Sequence, residues 1–145
     1  MVLEAVRGAE GGRDQGTAGS VILVDDDPLA VEMYRIGLEA SGFAVRIERS
    51  AAGLFEALEA EVPDILVLDW QLPGLRGDEI LQRIRLEERT RSLPVFMLSN
   101  FPAGSADADA AIDRVFLAGA LAWLQKVDTP PLTLAGKLTE ALKKR

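Results

Sequence analysis

The chain has 145 residues, 48% apolar and 27% charged, with a net charge of −7, which is ordinary globular composition in the size range of one domain with one core. It contains neither cysteine nor histidine, which excludes a disulfide framework, a Cys/His zinc site and any histidine-based acid–base or nucleophile–base pair. The acidic balance argues against direct nucleic-acid binding. No apolar stretch has membrane-spanning length or the form of a signal-peptide core, so a cytoplasmic protein with no membrane partner is expected.

Residues 1–19 hold five glycines and little periodicity, which predicts a flexible Gly-rich N-terminal tail ahead of a single ordered domain over 20–145. The run VILV (21–24) suits a first strand buried on both faces. Asp27-Pro28 is a helix start, an acid at the N-cap with proline at the first helical position. Leu29, Met33, Ile36 and Ala40 then follow as one apolar stripe, predicted to face the core, and Gly42 ends the helix. Phe43 to Glu48 alternates as a second strand. Ser50 caps a second helix with Leu54 and Leu58 inward, which Pro63 breaks. DILVLD (64–69) is a third strand, LPG (72–74) a turn, and Ile80, Leu81 and Ile84 mark a third helix. PVFMLS (94–99) is a fourth strand, followed by a loop and a fourth helix around 106–118. Leu121 to Gln125 is a fifth strand and 130–144 a closing helix. Five strands alternating with five helices imply a parallel sheet covered on both faces, an α/β domain.

In open parallel sheets, ligands bind at the carboxyl ends of the strands. Here the first strand ends in Asp25-Asp26-Asp27, the third in Asp69, the fourth in Ser99 and the fifth in Gln125-Lys126. Several carboxylates at one sheet edge repel unless a cation neutralises them or their pKa values rise. Oxygen ligands without nitrogen or sulfur favour a hard ion such as Mg²⁺. Beside such an ion a carboxylate can act as nucleophile and form an acyl phosphate, with Lys126 and the Ser99 hydroxyl neutralising and positioning the phosphoryl group. Asp27 is assigned to capping, Trp70 to packing near the site, and Asp107, Asp109 and Asp113 to a solvated helix face.

The segments VILVDDDP, DILVLDWQLPG, LPVFMLSN and AWLQK resemble, in order and spacing, the motif blocks of bacterial two-component response-regulator receiver domains. The likeness covers roughly residues 20–145. It implies a flavodoxin-like doubly wound five-stranded parallel sheet, strand order 2-1-3-4-5, with five helices in a single domain. It also implies that Asp69 is the phosphoacceptor and that Asp25, Asp26, Asp69 and the Gln71 carbonyl hold Mg²⁺. Ser99 and Lys126 would bind the phosphoryl group, with Ser99 and Trp123 forming the switch. Gln71, Asn100 and Phe101 would tune access and rate. The implied donor is a histidine kinase or phosphotransfer protein, or a small acyl phosphate. The implied output is a downstream protein partner or output domain, reached through the face of helix four, strand five and helix five, with homodimerisation through helices four and five as a family habit. Such a domain catalyses only its own phosphorylation and dephosphorylation.

Three departures stand out. Val127 follows Lys126 where the family usually has proline, so a trans bond is expected there. Asn100 replaces a small residue. The stretch from Ser99 to Lys126 is longer than usual by roughly one helical turn, placed in FPAGSADADA. These departures favour a second reading, a degenerate receiver acting as a phosphorylation-independent interaction domain; the intact acids, Ser99 and Lys126 oppose it. A third reading, a haloacid-dehalogenase-like phosphatase, takes Asp25-x-Asp27 as its motif and Asp25 as nucleophile, but leaves Asp69 unexplained.

Overall fold

The computed structural model describes residues 17–100 and 104–144, so most of the expected glycine-rich tail and Phe101 lie outside the described residues. In chain order the elements are β1 (Gly19–Val24), α1 (Pro28–Ala40), β2 (Phe43–Glu48), α2 (Ala51–Ala60) and β3 (Ile65–Asp69). A short hairpin, β4 (Gln71–Leu72) and β5 (Leu75–Arg76), precedes α3 (Gly77–Leu86). Then come β6 (Val95–Ser99), α4 (Ala106–Leu117), β7 (Ala122–Gln125) and α5 (Pro131–Lys143). The five long strands form one parallel sheet in the order β2-β1-β3-β6-β7. With the hairpin set aside, this is the expected 2-1-3-4-5 order.

The central strands are apolar throughout because alternate residues feed opposite layers. Ile22 and Val24 of β1 pack with Leu54 and Leu58 of α2 and with Ile80, Leu81 and Ile84 of α3. Val21 and Leu23 pack on the other side with Tyr34 and Leu38 of α1 and Leu134 and Leu138 of α5. The hairpin was read from sequence only as a turn. Gly74 adopts a left-handed φ of 84° at its tip, and the Gly77 N–H donates to the Trp70 carbonyl at 2.8 Å.

The predicted face of α1 is corrected. Leu29, Met33 and Ile36 are 82%, 49% and 57% exposed, and Ala40 is exposed too; the buried face is Ala30, Val31, Tyr34 and Leu38. Both sets have helical spacing, one residue apart. The choice is made by α5, which packs along α1 where Gly37 offers no side chain. A Cβ on Gly37 would lie 2.3 Å from the Pro131 Cβ. Gly37→Ala is therefore expected to destabilise the fold in chemical denaturation. Overpacking of this kind costs roughly 1–3 kcal/mol, and the better helix propensity of alanine, about 1 kcal/mol, offsets only part of it.

Candidate functional site

The site is assembled where β1, β3, β6 and β7 end. The β1 ladder carries on past Val24, with the Asp25 N–H donating to the Glu48 carbonyl at 3.1 Å, so Asp25 is held by the sheet and fully buried. One Asp25 carboxylate oxygen accepts from the Asp27 N–H at 3.0 Å, and the other accepts from Lys126 Nζ at 2.7 Å. Asp26 faces solvent, and Asp27 caps α1 by accepting from the Leu29 N–H at 3.1 Å. Asp69 ends β3, buried, with one oxygen 3.4 Å from the Gln71 N–H and the other 3.5 Å from Lys126 Nζ.

Lys126 thus bridges two buried carboxylates. Asp25, Asp26 and Asp69 each offer an oxygen, all within 4.8 Å of one another. Three carboxylates against one ammonium leave the cluster short of positive charge. An all-oxygen donor set this compact fits a small hard cation such as Mg²⁺.

The electrostatics follow. Burial, then the neighbouring Asp25 charge, push the Asp69 carboxyl up to about 7, and Lys126 and the Gln71 N–H counter this only in part. Burial works against the Lys126 ammonium, but its hydrogen bond to Asp25 and the charges of Asp69 and Asp25 outweigh that and raise its pKa.

Ser99 ends β6, buried, one residue beyond Leu98, the β-ladder partner of Asp69. Asn100 follows it, exposed. Gln71 opens the hairpin with its side chain exposed. Trp123 is half-buried on β7, with its ring 5.3 Å from that of the buried Trp70. The bond between Lys126 and Val127 is trans. Asp107, Asp109 and Asp113 are exposed along α4. A groove of about 980 Å³ lies elsewhere, between β7 and α5, and contains none of these groups.

Sequence reasoning missed Tyr34 and Thr129. The Tyr34 hydroxyl donates to the Thr129 carbonyl at 2.7 Å, three residues past Lys126. Tyr34 is the only tyrosine in the chain, on a helix stripe. A phenol at a buried position needs a polar partner, and that was the available clue.

A doubly wound parallel sheet with an acid–lysine cluster at its carboxyl edge defines the flavodoxin-like class of α/β domains. Within that class, the family model of the response regulator receiver domain matches residues 21–132, and the chain belongs to that family, the receivers of two-component signalling. It is 35% identical over 79 residues to the phosphate regulon transcriptional regulatory protein PhoB of Rhizobium meliloti, covering 54% of this chain and 35% of the relative. It spans about a third of the length of such transcriptional regulators. Among solved structures, a two-component response regulator of the LuxR family from Aurantimonas sp. SI85-9A1 is 31% identical, with a TM-score of 0.72, covering 88% of this chain and 86% of that one. A CheY-like receiver domain protein from Methanospirillum hungatei shares the fold at a TM-score of 0.75 and 24% identity, covering 86% of this chain and 94% of its own.

Proposed function

We propose that this receiver accepts a phosphoryl group on Asp69 in a Mg²⁺-dependent reaction and thereby changes its affinity for a protein partner. The observation that carries the reading is the cluster itself: three acids with oxygens within 4.8 Å, and one lysine bridging Asp25 and Asp69. An Asp69 oxygen attacks phosphorus, the bond from phosphorus to the donor nitrogen or oxygen breaks, and an acyl phosphate forms; hydrolysis by water returns the carboxylate. Lys126 and the Ser99 hydroxyl bind the phosphoryl oxygens. Asp25, Asp26, Asp69 and the Gln71 carbonyl would hold the Mg²⁺, which supplies neutralising charge and favours the ionised form of Asp69.

The donor we favour is a histidine kinase or phosphotransfer protein. Leu29, Met33 and Ile36 are exposed on α1, the helix that follows the acids, and Val127, 84% exposed, follows Lys126, so exposed apolar side chains adjoin the polar residues along the chain. The output is a movement of Ser99 and Trp123 that alters the face of α4, β7 and α5, a shift between two populations. That face serves a downstream protein or output domain, and pairs of receivers through α4 and α5. Asn100 and Phe101 tune access. No helix among the described residues is long and apolar enough to cross a membrane, and we place the protein in the cytoplasm without direct nucleic-acid contact.

Incubation with acetyl phosphate and Mg²⁺ followed by intact-mass measurement tests this. The wild type is expected to gain one phosphoryl group, and Asp69→Asn and EDTA-treated protein none. A wild type that stays unmodified supports the degenerate reading instead. The phosphatase reading is the weaker one: Lys126 holds Asp25 at 2.7 Å against 3.5 Å for Asp69, and Asp25 is fully buried where Asp69 keeps 6% of its surface exposed.

A further inference from the structure

Lys126 arrives at the site from β7, which pairs with β6 and is an edge strand of the sheet among the described residues. It opens a single 3₁₀ turn, Lys126–Asp128, whose next residue, Val127, projects into solvent. The β7 ladder ends at Gln125, opposite Ser99, so Lys126 lies one residue past the last paired position and Val127 packing does not hold it; the contacts beyond the ladder bear on where its ammonium points.

Those contacts converge on Thr129, which is buried. Its hydroxyl donates to the Gln125 carbonyl at 2.7 Å, and its N–H donates to the Lys126 carbonyl at 3.2 Å. Its own carbonyl accepts from the Tyr34 hydroxyl at 2.7 Å. Tyr34 is fully buried on α1, the helix that begins directly after Asp25-Asp26-Asp27. The hydrogen bond therefore joins the acid side of the site to its lysine side. One helical turn further along, the same two segments touch again at Gly37 and Pro131.

The chemistry of the side chain separates this from plain packing. A phenylalanine would fill the same core, whereas a buried hydroxyl is unfavourable unless it is hydrogen-bonded. Its partner is the backbone of the lysine turn.

We infer that Tyr34 and Thr129 are positioning residues: the hydrogen bonds from the Tyr34 hydroxyl to the Thr129 carbonyl and from the Thr129 hydroxyl to the Gln125 carbonyl hold the 126–129 turn so that the Lys126 ammonium meets Asp25 and the phosphoryl group on Asp69. The part concerning the phosphoryl group rests on the function proposed above; the aim of Lys126 does not.

Two measurements on the full chain test it. The first is the acetylation rate of Lys126 by an N-hydroxysuccinimide ester, read by peptide mass against Lys137 as internal reference. Tyr34→Phe and Thr129→Val are both expected to label Lys126 several-fold faster than wild type, since a lysine released from its carboxylates becomes reactive. Unchanged labelling in both overturns the inference whether or not Asp69 accepts a phosphoryl group. The second is a double-mutant cycle on the rate of phosphorylation by acetyl phosphate at saturating Mg²⁺, well below each variant's unfolding transition. Tyr34→Phe should slow the maximal rate about tenfold, the kinetic equivalent of one hydrogen bond, with little change in half-saturating acetyl phosphate. On a Lys126→Ala background it should slow nothing further. Equal slowing on both backgrounds means that Tyr34 acts through general stability, and the inference fails. A wild type that takes up no phosphoryl group rejects the Asp69 reading, while the labelling result still decides whether Tyr34 positions Lys126.

Discussion

Metal-free Asp69→Asn is expected to be more stable than the wild type at about pH 8 and equal to it near pH 4. Asp69 has a folded pKa of about 7, above the ordinary carboxylate value of 3.8. Between those values the native state holds a proton that the unfolded chain has released, so wild-type stability falls as pH rises through that window. Above about pH 7 the full penalty applies; below about pH 4 both states are protonated and it vanishes. Each pKa unit is worth about 1.4 kcal/mol, so the difference reaches at most about 4 kcal/mol. Urea denaturation in EDTA across this range measures it. Parallel stability curves for wild type and Asp69→Asn would show that the cluster stores no such penalty. Mg²⁺ should stabilise the wild type more at about pH 8 than at about pH 5, because binding an ion to the ionised cluster is linked to proton release.

The penalty comes first from burial of the Asp69 carboxylate and then from the Asp25 charge beside it, which the shared lysine offsets only in part. Asp25 and Asp69 both lean on one ammonium, at 2.7 and 3.5 Å, and the nearer acid takes most of its effect. A site relaxed in the absence of metal would have two cations or one acid fewer. This one is held in an unfavourable charge state by the sheet, which fixes both carboxylates, and that is the condition under which a cation binds well.

The strands and the acids were legible in the sequence for one reason. Continuous apolar runs such as VILV and ILVL are strands buried on both faces, and the first polar residue after each run falls at the carboxyl edge. Asp25, Asp69 and Ser99 each follow their run directly, whereas Lys126 stands one residue beyond Gln125, the first polar residue after its run. The face of α1 was not legible, because the stripes through Leu29 and through Ala30 are both apolar at helical spacing, and only the approach of α5 at Gly37 separates them. Hairpin strands of two residues are too short to show alternation. The partner of Tyr34 lies 95 residues away, in a turn with no periodicity at all. Asp78 reads as an ordinary first-turn acid at a helix start, and nothing local announces that Arg114 will fold over it.

That last residue carries the other large effect. Asp78 opens α3 with its side chain only 3% exposed, and accepts from Arg76 Nε at 3.1 Å and from Arg114 Nε of α4 at 2.8 Å. The two arginines are about half exposed. Pairs with both members in water contribute little, but here the acid is buried, and that decides the outcome. Burial alone would raise the Asp78 pKa; the hydrogen bonds from Arg76 and Arg114 outweigh it and hold the pKa below the usual carboxylate value. The ion pairs therefore add stability above about pH 4, and lose it as pH falls through the lowered folded pKa. Either arginine alone can keep the carboxylate paired, so Arg76→Ala and Arg114→Ala singly should lower the melting temperature modestly. The double variant leaves the buried Asp78 carboxylate without a cation, so its loss should exceed the sum of the two. Its deficit should shrink below about pH 4, where Asp78 can be neutral. Because Arg114 is the charged tie from α4 to the start of α3, Arg114→Ala should also speed hydrogen exchange in α4 ahead of the rest of the sheet. Additive losses with α4 exchange unchanged would mean that Asp78 reaches water once one arginine is gone, and that α4 is held by its apolar contacts, Ala111 and Val115 among them.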